Sequence, residues 1–237
     1  MRTRSLYSYR YVFLVVLVVA VAVYLVASYD PLPSEFPATV VINLDERTDR
    51  KKEIEEEFRE WPVPVERVSA VKLRPGWKGC SASHLKCVRL AKERGYPWIL
   101  ILEDDCVLRP DASQRLQALL PFLWKNRSRW DIFYGGTTYL SHHRRISRTP
   151  SVHEVSGYAT QFCLVHSHSY NRILGGYPTD PSDYTKQIDV YYAETLRIWT
   201  TTPYLAVQRV GKSDVGKREI EDYTQLFQDA EDELMRS

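Results

Sequence analysis

Three consecutive carboxylates, Glu103, Asp104 and Asp105, follow directly on the apolar run from Trp98 to Leu102. The branched side chains of that run predict a strand buried on both faces of a sheet. Carboxylates are rarely buried without a partner, so we expect the triplet at the carboxyl end of the strand, where α/β proteins bind ligands. Clustered oxygens there suit Mg²⁺ or Mn²⁺ together with diphosphate oxygens. Taken alone, the stretch fits a strand that runs into a solvated turn equally well.

A second polar group of residues follows the first predicted strand, Ala38 to Asn43, whose β-branched side chains are typical of a buried strand. Asn43 ends it, and Asp45, Arg47 and Arg50 come at the start of the next helix. Arginines at such a turn could hold an anionic ligand by charge-assisted hydrogen bonds. An ion-paired, solvated helix start is the alternative.

Two further residues could take part in chemistry. His84 follows Ser81 and Ser83, which predict the start of a helix that ends at Gly95. A lone histidine is more often structural than catalytic, so both roles stay open for it. Asp189 stands among apolar and aromatic residues, where desolvation would raise its pKa and suit it to accept a proton. A helix cap or a buried ion pair is the alternative for Asp189.

The remaining pattern predicts the elements that position these residues. Further strands are expected near 65–71, 131–136, 158–165 and 203–208, with helices between them. The basic segment 141–148 is typical of a solvated loop, with a cover over a diphosphate as the alternative.

The formal net charge of +2 does not favour a nucleic-acid partner.

Targeting signals lie near the N-terminus. Residues 11–29 contain no charge and, as a helix, would span roughly 28 Å, which is long enough to cross a bilayer. Arginines before the segment and acids after it predict a cytosolic tail at 1–10 and a lumenal main domain, that is, a type II signal anchor. A cleaved signal peptide is the competing interpretation. The proline-rich segment 30–37 predicts a short stem, 38–214 the folded domain, and 215–237 an acidic tail that docks loosely or frays.

Two features bear on that compartment. Asn126-Arg127-Ser128 is an N-glycosylation acceptor pattern, consistent with a lumenal surface. The four cysteines could pair in an oxidising lumen in three ways or remain buried thiols, and their spacing does not favour a cysteine-based metal site. They are Cys80, Cys87, Cys106 and Cys163.

Three motifs together resemble glycosyltransferase family 25, which includes lipopolysaccharide β-galactosyltransferases and collagen galactosyltransferases. They are Val41-Ile42-Asn43-Leu44-Asp45 with Arg47, Asp49 and Arg50; Gly79-Cys80-x-x-Ser83-His84; and Leu100-Ile101-Leu102-Glu103-Asp104-Asp105. The resemblance is clear over residues 40–108 and fainter to about 214. It implies a single A-type, Rossmann-like α/β glycosyltransferase domain with a mostly parallel sheet flanked by helices, here preceded by one transmembrane helix.

The resemblance also implies roles for residues. Glu103 and Asp105 would hold Mn²⁺ or Mg²⁺ on the diphosphate of a UDP-sugar donor, with Asp104 beside the metal or the ribose. Four residues at the first-strand edge would line the donor pocket: Asn43, Asp45, Arg47 and Arg50. His84 would lie on the acceptor side. The family's inverting chemistry needs a base for the acceptor hydroxyl, for which we predict Asp189, with Glu154 and Asp183 as alternatives.

The predicted function is therefore transfer of a hexose, with galactose the first expectation, from a UDP-sugar to a glycan or glycoprotein in the Golgi or endoplasmic reticulum. A non-catalytic lumenal binding or adhesion module that retains the fold is the alternative. A nucleotide hydrolase is disfavoured because the sequence has no Gly-x-x-x-x-Gly-Lys-Ser/Thr loop. The donor sugar, the linkage and the oligomeric state are left open by the sequence.

Overall fold

A computed structural model describes residues 12–21, 36–212 and 222–237. Residues 12–21 form helix α1, within a unit, 1–34, that is separate from the unit 35–237. In those three described ranges no helix is long and apolar enough to cross a membrane. The predicted anchor, 11–29, extends beyond the described residues 12–21. The charged residues on either side of it and most of the predicted stem also lie outside the described ranges. The anchor therefore stays a prediction.

Residues 36–212 and 222–237 build an α/β fold around one eight-stranded sheet with the order β2-β1-β3-β8-β5-β9-β7-β6. The strands of this sheet and of the small β4–β10 ladder are β1 (Ala38–Asn43), β2 (Val65–Ser69), β3 (Trp98–Glu103), β4 (Cys106–Leu108), β5 (Ile132–Tyr134), β6 (Thr138–Arg148), β7 (Ser151–Tyr158), β8 (Phe162–His166), β9 (Ile198–Thr201) and β10 (Ala206–Gln208). The helices are α2 (Thr48–Glu57), α3 (Gly76–Glu93), α4 (Ala112–Lys125), α5 (Ser167–Gly176), α6 (Ile188–Thr195) and α7 (Thr224–Arg236).

The sheet is mixed. β2, β1 and β3 pair in parallel, as do β5 and β9, whereas β7 and β8 run against their neighbours. Six of the eight strands therefore run in the same direction, and the parallel β2-β1-β3 part places three carboxyl ends side by side.

Helices cover both faces of the sheet. The side chains of β3 alternate between the two layers, so that Ile99 and Ile101 join one core and Leu100 and Leu102 the other. The first core receives the buried faces of α3, α5, α6 and α7, and the second receives those of α2 and α4. A strand buried on both faces accounts for the continuous apolar run in the sequence, and this prediction is confirmed.

Two local predictions are corrected by the structure. Helix α3 begins at Gly76, before the start expected at Ser81 to Ser83, so Ser83 lies inside the helix, where its Oγ donates to Gly79 O and accepts from Val71 N. The basic segment 141–148 is part of the long strand β6, which pairs with β7 in a hairpin, and is not a loop. Its basic side chains lie on the edge strand of the sheet, a position that tolerates them.

The C-terminal segment is more ordered than expected. Residues 224–236 form α7, whose Phe227 and Leu234 are buried in the first core. Glu231 of the same helix accepts a hydrogen bond from Tyr204 N at 2.6 Å. The described part of the predicted acidic tail is therefore an integral helix of the domain.

Candidate active site

The carboxyl ends of β1 and β3 meet as the parallel register requires. Ile42 lies opposite Glu103, so Asn43 is next to the acidic triplet. The Asn43 Nδ2 donates to Asp104 Oδ2 at 2.7 Å, and Asn43 Oδ1 accepts from Arg67 Nε at 2.9 Å. Asn43 is 1% exposed, and these bonds satisfy its buried amide. The amide thus connects the first-strand edge to the triplet.

Arg50 reaches the same point from α2. Its NH1 donates to Asp104 Oδ1 at 2.9 Å and to Asp105 Oδ2 at 3.3 Å, and its NH2 donates to Lys212 O at 2.5 Å. The guanidinium is largely buried, and a buried charge of this kind is stable only when it is paired. Arg50 therefore fixes the orientation of Asp104 and Asp105.

Glu103 has different hydrogen-bond partners from Asp104 and Asp105. Its Oε1 lies 3.1 Å from His84 Nε2 and accepts a hydrogen bond from Thr160 Oγ1 at 2.5 Å. Burial raises the pKa of Glu103, but the bonds from His84 and Thr160 outweigh this effect and hold the pKa below its usual value. Glu103 is therefore ionised at neutral pH.

Asp105 lies in a different environment. Gln208 Nε2 donates to its Oδ2 at 2.8 Å, while its Oδ1 is buried and has no hydrogen-bond partner among the described residues. Burial, and then the negative charge of Glu103, raise the pKa of Asp105 to about 7. Asp105 thus retains an unused oxygen close to a second carboxylate.

These properties fit a divalent cation. Three carboxylates gather here, and Arg50 is paired with two of them, so the edge carries excess negative charge. A buried carboxylate oxygen without a partner and a like charge beside it are both relieved by a metal ion. Glu103 and Asp105 line one cavity, as the predicted metal assignment requires.

A second set of potential metal ligands shares Glu103. Atoms of Cys80, His84 and Glu103 that could bind a metal lie within 4.8 Å of one another. Cys80 and His84 are one turn apart on α3, so their separation in sequence places them on one face of the helix. The spacing between the cysteines alone does not favour a metal site, but the helical spacing of Cys80 and His84 brings a cysteine next to a histidine. All four cysteines are free, and burial raises the pKa of the Cys80 thiol well above its usual value.

The acidic triplet and most of its partners line a cavity of about 910 Å³. A volume of this size is at the upper end of the range for small-molecule and cofactor sites. Asn43, Arg50, the triplet, His84 and Asp189 all line it. The predicted residues on β1, α2, α3, β3 and α6 are therefore brought to one cavity.

Asp189 lies in the first turn of α6, where Val190 N donates to its Oδ1 at 2.8 Å. Burial raises the pKa of Asp189, and the charge of Glu103 adds to the effect. The two alternative bases are elsewhere: Glu154 pairs with Arg144 at 3.1 Å on the β6–β7 hairpin, and Asp183 is exposed in a short 3₁₀ helix. Neither is among the described residues that line the cavity.

Asp45 and Arg47 lie farther out. Asp45 is exposed and accepts hydrogen bonds from Arg67 and from Ser69 Oγ, which lower its pKa. Arg47 pairs with Asp49 at 2.9 Å, and its NH1 donates to Lys212 O at 3.4 Å. Neither Asp45 nor Arg47, both predicted to line the donor pocket, is among the described lining residues of the cavity.

Several residues of the site were not predicted. Thr160 and Gln208 hydrogen-bond Glu103 and Asp105, and Arg67 holds Asn43. Gln208 reaches Asp105 because β10 pairs with β4, where Gln208 lies opposite Cys106. A long-range pairing of two three-residue strands leaves no periodic signal in the sequence. The α3 spacing of Cys80 and His84 is a signal that could have been used.

The comparison with protein families gives one match. Residues 72–177 match the family described as "Glycosyltransferase family 25 (LPS biosynthesis protein)". The matched segment contains His84, the acidic triplet and Thr160, and it excludes the first-strand edge and Asp189. It spans somewhat less than half of the chain and supports the prediction that this protein is a glycosyltransferase enzyme.

No curated protein matches the chain significantly. Solved structures give distant similarities. The crystal structure of A197 from STIV has 14% sequence identity and a TM-score of 0.45, over 79% of this chain and 95% of that one. A glycosyltransferase involved in the glycosylation of the major capsid of PBCV-1 has 10% identity and a TM-score of 0.48, over 85% of this chain and 100% of that one.

Proposed function

We propose that this protein is a metal-dependent, inverting glycosyltransferase that moves a hexose from a UDP-sugar to a hydroxyl of a glycan or glycoprotein, with galactose as the first donor to test. The observation that carries the proposal is that Glu103 and Asp105, the Asn43–Arg50 edge and Asp189 all line one cavity. The family match supports the reaction class. The anchor and the lumenal location predicted from residues 1–30 complete the proposal.

The donor would bind along the β1–β3 edge. Asp104 is held by Asn43 and Arg50, so its carboxylate has a fixed orientation toward the cavity. Glu103 and Asp105 would hold Mn²⁺ or Mg²⁺, which supplies charge stabilisation to the diphosphate leaving group. The unused Oδ1 of Asp105 and the ionised Glu103 are the oxygens available for this purpose.

The acceptor hydroxyl would be deprotonated by Asp189. In the proposed reaction the hydroxyl oxygen forms a bond to the anomeric carbon while the bond from that carbon to the diphosphate oxygen breaks. The diphosphate leaves with the electron pair, and the hydroxyl proton moves to Asp189. The raised pKa of Asp189 makes its carboxylate a stronger base than an exposed aspartate.

The test is UDP release by the purified full-length chain with Mn²⁺, a panel of UDP-hexoses and a mixed glycan acceptor pool. We expect Asp189→Asn to lower the transfer rate by about 10²–10⁴-fold, the usual contribution of a general base. Asp183→Asn and Glu154→Gln are the matched variants, since they change carboxylates that were the alternative candidates. Donor binding without any transfer or hydrolysis by the wild-type chain would favour the non-catalytic binding module.

A further inference from the structure

Two exposed tyrosines stand together at the cavity. Tyr139 is 54% exposed and Tyr158 36%, and their ring centroids are 6.2 Å apart with an interplanar angle of 52°. Within residues 36–212 and 222–237 these are the most exposed aromatic side chains, and both line the cavity. Paired aromatic rings left open to solvent beside a cavity are typical of a binding surface.

The backbone holds this pair in an unfavourable conformation. Tyr139 has a φ of +50°, which bulky L residues seldom adopt, and it lies in a register irregularity of the β6–β7 hairpin between Thr138 and His142. Ala159, directly after Tyr158, has a φ of +143°. Such conformations persist only where the surrounding structure enforces them, and they cluster at functional sites.

The neighbouring residues show what enforces the conformation. The hydroxyls of Thr137 and Thr138 both donate to Tyr158 O, at 3.1 and 2.9 Å. A Cβ on Gly157 would come within 2.5 Å of Thr137 Oγ1, so the two strands approach as closely as they do because residue 157 is glycine. The start of β6 and the end of β7, which carry Tyr139 and Tyr158, are thus held close together.

The position of the pair indicates which ligand it contacts. β7 and β6 are at the opposite end of the sheet order from β2 and β1, which carry the proposed donor edge. Tyr158 is two residues from Thr160, whose hydroxyl donates to Glu103, and α6, which carries Asp189, packs against β7. In the sheet order the two tyrosines therefore lie away from the β1 edge that carries Asn43, and they line the same cavity as the proposed base Asp189.

We propose that Tyr139 and Tyr158 form a stacking platform for a hexopyranose ring of the acceptor glycan; this inference rests on the proposed function. One face of a pyranose presents C–H groups, and an aromatic ring packs against that face while the sugar hydroxyls stay in water or bind polar groups. A sugar on this platform places a hydroxyl toward the part of the cavity that Asp189 lines.

The test is saturation-transfer-difference NMR on the full-length chain, with the methyl glycosides of galactose, glucose and N-acetylglucosamine as probes and no donor present. We expect at least one glycoside to receive saturation at its ring C–H protons. Tyr139→Ala and Tyr158→Ala should each reduce that signal at least fivefold, whereas Tyr139→Phe should retain it because the ring remains. Met235→Ala is the matched control, since Met235 is 48% exposed on α7 and is not among the lining residues.

Circular dichroism of each variant checks that the fold is retained. Uridine is measured in separate samples as a fourth probe. The inference is overturned if no glycoside binds the wild type, if the alanine variants bind as well as Met235→Ala, or if uridine rather than a glycoside loses its signal in the alanine variants. Because the assay needs no donor, its failure is distinct from failure of the proposed function, which the UDP-release assay measures.

Discussion

The unusual ionisation of Asp105 leads to a prediction about stability. In the metal-free fold the pKa of Asp105 is raised from 3.8 to about 7. Between pH 3.8 and about pH 7 the native state therefore keeps a proton on Asp105 that the unfolded chain loses. The unfolded state then binds fewer protons than the native state, so the free energy of unfolding falls as the pH rises through this window. From pH 5 to pH 8 the expected loss is about 3 kcal/mol, because about two pH units of that range lie below the folded pKa and each contributes about 1.4 kcal/mol.

Asp105→Asn removes the titration and keeps the hydrogen bonds. The amide oxygen can still accept from Arg50 and Gln208, while its NH₂ replaces the unpartnered Oδ1 at a pH-independent cost of about 1–3 kcal/mol. The variant should therefore lose about 3 kcal/mol less than the wild type between pH 5 and pH 8.

The assay is urea denaturation of the full-length chain in excess EDTA at pH 5, 6, 7 and 8. The matched control is Asp183→Asn, which changes an exposed aspartate, and its curve should run parallel to that of the wild type. Parallel curves for the wild type and Asp105→Asn would show that Asp105 has an ordinary pKa, and would refute the argument that burial and Glu103 leave a protonated carboxyl at this edge.

Three further predictions concern the scaffold and are measured by urea denaturation at pH 7. Asp131→Ala should cost about 3–5 kcal/mol, because this 1% exposed carboxylate pairs with His168 at 2.8 Å and with Arg197 at 3.0 Å; a loss below 1 kcal/mol would contradict that estimate. Gly79→Ala should destabilise by about 1–3 kcal/mol, since its Cβ would come within 2.3 Å of Val71 O. Gly175→Ala, with open space around its Cβ, is the matched control and should be neutral or stabilising by up to about 1 kcal/mol. Phe227→Ala should cost about 3–5 kcal/mol because α7 is part of the core, and an unchanged midpoint would show that the C-terminal helix is dispensable.

The sequence predicted the centre of the sheet because its signals there are local. The apolar residues of β3 and the β-branched residues of β1 predict directly that both strands are buried. The parallel pairing of the two strands then brings Asn43 and the triplet to one edge of the sheet. Similarly, Gly95 ends α3 with a φ of +65°, a conformation that glycine adopts without strain.

The errors arose where tertiary contacts override local preferences. The charged side chains of 141–148 suggested a loop, but pairing with β7 and contact with α7 make this segment an edge strand. The serines that suggested a cap lie inside α3, because the helix begins at Gly76 after Pro75. Gln208 and Thr160 join the site only through the folded topology, and no pattern in their own segments indicates it.

The central claim is that Glu103 and Asp105 bind a nucleotide diphosphate through a divalent cation. Isothermal titration of UDP into the full-length chain, in EDTA and in Mn²⁺, tests it most directly. The account predicts binding that requires Mn²⁺ and falls at least tenfold in affinity in Glu103→Gln and in Asp105→Ala, with Asp183→Asn unaffected. UDP binding of equal affinity in EDTA, or unchanged affinity in both triplet variants, would contradict it.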